Sequence, residues 1–178
     1  MDFHFCLITG PKHSGKSLCA KALNETTGWA VVDLDETMEA QTGKTPRELF
    51  VLGQDIFKKA EAQALASALQ PSEQKRLIIA AGGGIIDNGE AMALLAKSRS
   101  TLCEIITVYL DISAETAWQR ISAEGELPPF LNTANPREVH LTLHNRRAEA
   151  YKAMANVTVS AENKSPEEIA REIADRIL

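Results

Sequence analysis

Cysteine is scarce in this chain, three residues in 178, and Cys6, Cys19 and Cys103 stand far apart among Leu, Ile and Ala. An odd, dispersed set excludes a disulfide framework and a thiolate metal site, so all three are expected to be reduced thiols of the core. Positive charge is not in excess: 19 basic against 24 acidic residues leave a net charge of -5, which excludes a nucleic-acid partner. No stretch reaches the roughly 18 consecutive apolar residues of a membrane span, and Met1-Asp2-Phe3-His4 lacks the basic region of a signal peptide. A cytoplasmic protein without membrane contact is expected. Internal repeats, low-complexity tracts and linkers are also missing, so residues 1–178 read as one domain.

What is there is an alternation of apolar strands and amphipathic helices, in a chain that is 44% hydrophobic and 24% charged. Phe3–Thr9 is a short β-branched run ending at Gly10, suited to a fully buried parallel strand. Leu18, Cys19, Ala22 and Leu23 then recur at helical spacing. Further strands are expected at residues 29–33, 77–81, 104–110 and 156–160. Helical segments are expected at 46–70, 89–97, 137–154 and after the cap Ser165-Pro166-Glu167-Glu168. Ser113 with Glu115 close behind marks another helix start. Residues 125–136 break the rhythm with Pro128, Pro129, Asn132, Asn135 and Pro136, the composition of a surface loop or lid, set at about 124–137. The pattern implies an α/β protein, a three-layer sandwich whose five-stranded parallel sheet is covered by helices on both faces. Ligands of such sheets bind beyond the carboxyl ends of the strands.

Three features lie at those ends. Gly10-Pro11-Lys12-His13-Ser14-Gly15-Lys16-Ser17 fits G-x-x-x-x-G-K-[ST], between an apolar strand and a helix, which makes the expected sandwich one of the P-loop NTPase type. In that motif backbone amides cradle phosphate oxygens, the lysine neutralises charge and the hydroxyl ligates Mg²⁺. His13 inside the loop either bonds a phosphate or faces water. The second strand ends in Asp33-Leu34-Asp35, placing two carboxylates at the ligand edge and on opposite faces. One suits a metal-bound water and the other an acceptor hydroxyl, whose proton it can take; the plainer alternative is a pair of strand-end caps. A carboxylate repels an incoming phosphate, which argues against a nucleoside-monophosphate acceptor. Gly82-Gly83-Gly84 follows the third strand and would let a substrate approach the backbone, or simply form a flexible turn. His140 and His144 share a helix face at i,i+4, but no third ligand accompanies them.

The phosphate loop, Asp33-x-Asp35, Thr42-Gly43-Lys44-Thr45-Pro46-x-x-Leu49-Phe50, Phe57-Lys58-Lys59-Ala60-Glu61, the triple glycine and Asn163-Lys164-Ser165-Pro166 together resemble the shikimate kinase family over nearly the whole chain. The resemblance implies ATP and Mg²⁺ as cofactors and a monomer acting on a small-molecule substrate. It gives Lys16 and Asp35 catalytic roles, Ser17 and Asp33 the metal, and the loop through Leu18 the nucleotide. Arg120 and Pro166 would lie on either face of the adenine ring with Lys164 beside it, and Gly82, Gly83 and Gly84 would contact the acceptor.

Departures from the family bear on the acceptor. Where the family carries arginines for the substrate carboxylate and the lid, this chain is read as having Lys58, Pro128 and Lys152. Lysine keeps the charge but lacks the planar fork, a loss of about 1.5–3 kcal/mol per charge-assisted bond. Pro128 brings no charge to the transferring phosphoryl group, so Lys12 or Arg137 must substitute if turnover is fast. The expected activity is phosphorylation of a hydroxyl of a small polyhydroxy acid, with shikimate first. The alternatives are a kinase for another sugar acid or polyol, motivated by the lost arginines, and a non-catalytic nucleotide-binding regulatory module, motivated by Pro128.

Overall fold

The computed structural model describes residues 3–70, 76–99, 103–123 and 125–178; the side chains of Phe3, Arg99 and Cys103 lie outside that description. Among the described residues, five strands form one parallel sheet in the order β2-β3-β1-β4-β5. They are β1 (Phe3–Thr9), β2 (Ala30–Asp33), β3 (Arg76–Ala80), β4 (Cys103–Asp111) and β5 (Val157–Ser160). The first strand is central, pairing with β3 from His4 opposite Arg76 and with β4 from Phe3 opposite Cys103.

Strand periodicity sends alternate residues of β1 into two separate cores. Cys6 and Ile8 join Ile78, Val108 and Leu110 beneath helices α1 (Lys16–Thr27) and α8 (Pro166–Ile177). Phe5 and Leu7 join Ile79 beneath α2 (Leu34–Thr42), α3 (Pro46–Leu52), α4 (Gln54–Ala68) and α5 (Gly89–Arg99). Helices α6 (Ala114–Ala123) and α7 (Pro136–Met154) follow β4. The expected sandwich is therefore present. Cys6 and Cys19 are buried free thiols, and burial pushes both up to about 12, so neither is an available nucleophile.

Two local expectations change. The second strand stops at Asp33, and its carboxylate caps a helix by accepting from the Asp35 amide at 2.9 Å; Asp35 lies in the first turn of α2. The two carboxylates are thus successive positions of a strand-to-helix junction and not alternate faces of one strand. Helix 46–70 is in fact two helices, because Gly53 at φ 152° breaks the backbone between α3 and α4.

The segment expected as a lid is seated on α3. Leu131, in the 3₁₀ turn Pro129–Leu131, is fully buried, and the Phe130 ring meets Phe50 edge-on at 6.4 Å. Arg47 donates to Glu126 at 2.5 Å and to the Leu127 carbonyl at 3.3 Å.

Candidate active site

Because all five strands are parallel, the turns after β1, β2 and β3 emerge at one edge of the sheet. The loop after β1 needs its glycines: Gly10 has φ 147°, and a Cβ there would stand 2.6 Å from the Leu110 carbonyl. His13 takes φ 61°, a left-handed conformation that non-glycine residues rarely hold outside functional turns. Its carbonyl accepts from Arg120 Nη1 at 2.9 Å. The buried Ser14 Oγ finds no partner. Lys16 folds back to donate to the Pro11 carbonyl at 2.8 Å, and burial lowers its ammonium to about 8 although Asp35 pulls the other way. A loop held this way presents amides and a half-buried cation to an anion.

Ser17 Oγ donates to Asp33 Oδ2 at 2.6 Å. This joins a hydroxyl and a carboxylate, the hard oxygen donors suited to a hydrated divalent cation. The Asp35 carboxylate stands by the glycine triplet, its Oδ1 3.6 Å from the Cβ position of Gly82. Burial raises it first and the neighbouring Asp33 carboxylate second, against the pull of Lys16 and Lys12.

The glycine triplet forms the floor between these groups. A Cβ on Gly82 would meet Glu61 Oε1 at 2.9 Å and Asp35 Oδ1 at 3.6 Å. On Gly83 it would meet the Lys12 amide at 3.0 Å and the Gly10 carbonyl at 3.2 Å. The first two glycines are therefore required by the packing of the phosphate loop and two carboxyl groups against them. Beside Gly84 stands Arg147, whose Nη2 lies 3.7 Å from the Cβ position. Tyr151, buried one helical turn on, donates its hydroxyl to the Gly83 carbonyl and stacks on Tyr109 at 5.2 Å.

Glu61 is fully buried on α4, accepts from Asn88 Nδ2 at 2.9 Å, and its Oε1 has no hydrogen-bond partner. Burial raises it to about 7, while Arg147 and Lys58 pull it down. Lys58 is half-buried on that helix, with its charge acting on Glu61. Lys152 is placed elsewhere: it is exposed, 3.7 Å from Glu149 on its own helix. Arg147 and Tyr151 are one turn apart and share a face of α7, whereas Lys152 is rotated roughly 100° from Tyr151. The cation that α7 brings to the glycine floor is thus Arg147, which sequence reasoning missed: its i,i+4 spacing to Tyr151 is in the sequence, but the face of α7 that turns inward is not.

Other expected residues lie on separate elements. Leu18 is exposed just after the loop. Lys164 pairs with Glu172 at 2.6 Å beside the α8 cap, and Pro166 opens that helix. Pro128 is buried, and Arg137 is paired with Glu115 at 2.8 Å. His140 and His144 are buried against each other and Trp118, with His140 Nε2 3.0 Å from the Ala114 carbonyl.

A phosphate cradle, two carboxylates and an arginine around a glycine floor describe a kinase for a small acidic alcohol, and comparison with known proteins agrees. The family model described as "Shikimate kinase" matches residues 12–178. A shikimate kinase of Lactococcus lactis is 33% identical over 171 residues, 96% of this chain and 96% of its own. The chain belongs to the shikimate kinase family. Like other shikimate kinases it is an ATP-dependent small-molecule kinase. Among solved structures, a shikimate kinase from Acinetobacter baumannii in complex with shikimate superposes with TM-score 0.84 at 26% identity, covering 98% of this chain and 93% of that one. The Aquifex aeolicus shikimate kinase gives 0.75 at 26%, with 96% and 94% covered. Among the described residues no helix is long and apolar enough to cross a membrane.

Proposed function

We propose that this shikimate kinase family member transfers the γ-phosphoryl group of ATP to a hydroxyl of shikimate, the acceptor resting on the floor of Gly82, Gly83 and Gly84. The observation that carries the reading is the pairing across that floor: a carboxylate at Gly82 from Asp35, and a guanidinium at Gly84 from Arg147. An acceptor with a hydroxyl at one end and a carboxylate at the other matches it.

In this reading the amides from Gly10 to Ser17 and the Lys16 ammonium hold the polyphosphate, with Leu18 and Arg120, Lys164 and Pro166 on the base side. Ser17 and Asp33 would hold Mg²⁺, which supplies charge neutralisation of the phosphates when bound. Asp35 accepts a hydrogen bond from the attacking hydroxyl and takes its proton as transfer proceeds; catalysis is otherwise positioning and electrostatics. Arg147 and Lys58 attract the carboxylate. The lid position Pro128 contributes no charge, and Arg137 is engaged by Glu115, so the substitute for the lid charge is Lys12, whose field acts on both Lys16 and Asp35. The proposal includes a cytoplasmic monomer of one domain, with segment 124–137 closing over the site.

ADP release measured with shikimate and with a panel of sugar acids and polyols tests the acceptor. Shikimate is expected to turn over fastest. Rapid turnover of an uncharged polyol with none of shikimate would reject the assignment.

A further inference from the structure

The turn after the glycine triplet carries a carboxylate that no step above uses. Asp87 ends the 3₁₀ turn Ile85–Asp87, with its amide on the Gly84 carbonyl at 2.9 Å. Its two oxygens take a bidentate pair from Arg146, Nη1 and Nη2 each at 2.7 Å. The Oδ2 oxygen also takes Arg147, through Nε at 2.8 Å and Nη2 at 2.7 Å. The two arginines differ in setting: 56% of the Arg146 side chain is exposed, against 20% of Arg147. The next residue, Asn88, donates to the Lys58 carbonyl at 2.7 Å and to Glu61 at 2.9 Å. One dipeptide therefore ties the α7 arginine and the Lys58–Glu61 stretch of α4 to the glycine floor.

Charge decides what the tie can do. Asp87 with Arg147 alone would form a neutral pair and leave little attraction for an anion. Arg146 compensates Asp87 by the stronger, forked geometry, so the trio keeps one net positive charge, and Arg147 is the member beside Gly84. Of the five guanidinium N–H groups of Arg147, Asp87 engages one on Nε and one on Nη2, which leaves the others for a second oxyanion.

We infer that Asp87, compensated by Arg146, is a positioning residue: it holds Arg147 by its Nε edge so that the remaining N–H groups meet the substrate carboxylate across Gly84, and it thereby sets the preference for an acid over an uncharged polyol. The inference rests on the acceptor reading above.

The test uses the full chain, with shikimate and its methyl ester as acceptors. Asp87→Asn is expected to raise KM for shikimate about tenfold, with KM for ATP unchanged, and to leave KM for the ester where it was. Arg146→Met leaves Asp87 cancelling Arg147 and raises KM for shikimate further; adding Asp87→Asn to that variant lowers it again. A merely structural brace would shift acid and ester alike and make the double variant the worst of the three, and either result overturns the inference. A substrate-free arm follows the Nε–H resonance of Arg147, assigned by its loss in Arg147→Lys. It should be protected from solvent exchange in the native protein and exchange rapidly in Asp87→Asn. If native protein ignores shikimate but the resonance responds, the acceptor reading falls and the brace stands. A resonance indifferent to Asp87→Asn overturns the brace whatever the acceptor.

Discussion

At Lys16 two forces oppose each other. Burial lowers the ammonium to about 8, while the Asp35 and Asp33 carboxylates favour its charge and Lys12 and Arg147 disfavour it. A bound polyphosphate adds several negative charges beside it, so its pKa must rise on binding. At pH 8.5 part of the free protein has lost this proton, and ATP binding should take it back; near pH 7 the lysine is already charged and uptake should vanish. Calorimetry at both pH values in buffers of different ionisation enthalpy reads this directly. Buffer-independent heats at pH 8.5 would show that Lys16 does not meet the phosphates. Asp35 yields a second expectation: Asp35→Asn keeps the shape but removes the proton acceptor, so kcat should fall about 10²–10⁴-fold with ATP affinity retained. Retention of most of the turnover would remove Asp35 from the chemistry and revive its reading as a cap. Both residues were legible because their motifs are local. Arg147 was not, because its role depends on which face of a nineteen-residue helix turns inward.

At the scale of elements, the succession of strands and helices followed from hydrophobic periodicity, while junctions without a loop escaped it. Helix α2 begins at Leu34 immediately after β2, and Asp33 serves both as the last strand residue and as the N-cap. Nothing in a run of Asp-Leu-Asp separates a strand end from a cap until tertiary packing places Leu34 and Met38 in the core. The irregular segment was recognisable by its prolines, but its attachment to α3 was not, since Arg47 and Glu126 are 79 residues apart. Their contact, with the Phe50–Phe130 edge and the buried Leu131, couples α3 to the segment expected to close the site. Exposed ion pairs contribute roughly 0–1 kcal/mol, so Arg47→Ala should barely change global stability. It should instead loosen the segment locally, raising amide exchange over residues 125–135 and raising KM for the acceptor severalfold. Unchanged exchange there would mean that the aromatic contacts alone seat the lid.

Over the whole molecule, two cores on opposite faces of the sheet meet only through the strands, and the site lies where their loops converge. The core facing α4 contains a fully buried carboxyl, Glu61, between Ala60 and Ala62 and close to Leu65. Burial raises it from 4.5 to about 7, with the Asn88 hydrogen bond, Arg147 and Lys58 opposing and Asp35 assisting. The folded protein therefore keeps a proton that the unfolded chain has released between those two values, and the linkage slope is negative there. Stability should fall as pH rises from about 4.5 to 7, by of order 3 kcal/mol, and level off above. Glu61→Gln keeps an amide acceptor for Asn88, removes the titration, and should abolish that component. For a chain of this length 1 kcal/mol corresponds to roughly 2–4 °C, so the variant should gain several degrees in Tm over the native protein at pH 8 and little at pH 5. Asp35 is raised by burial and a neighbouring carboxylate, so a slope of the same sign should persist in the variant. Parallel melting profiles for the two proteins from pH 5 to 8 would mean that Glu61 is ionised throughout, held by Arg147 and Lys58, and that the charge on the glycine floor is one unit more negative than argued here.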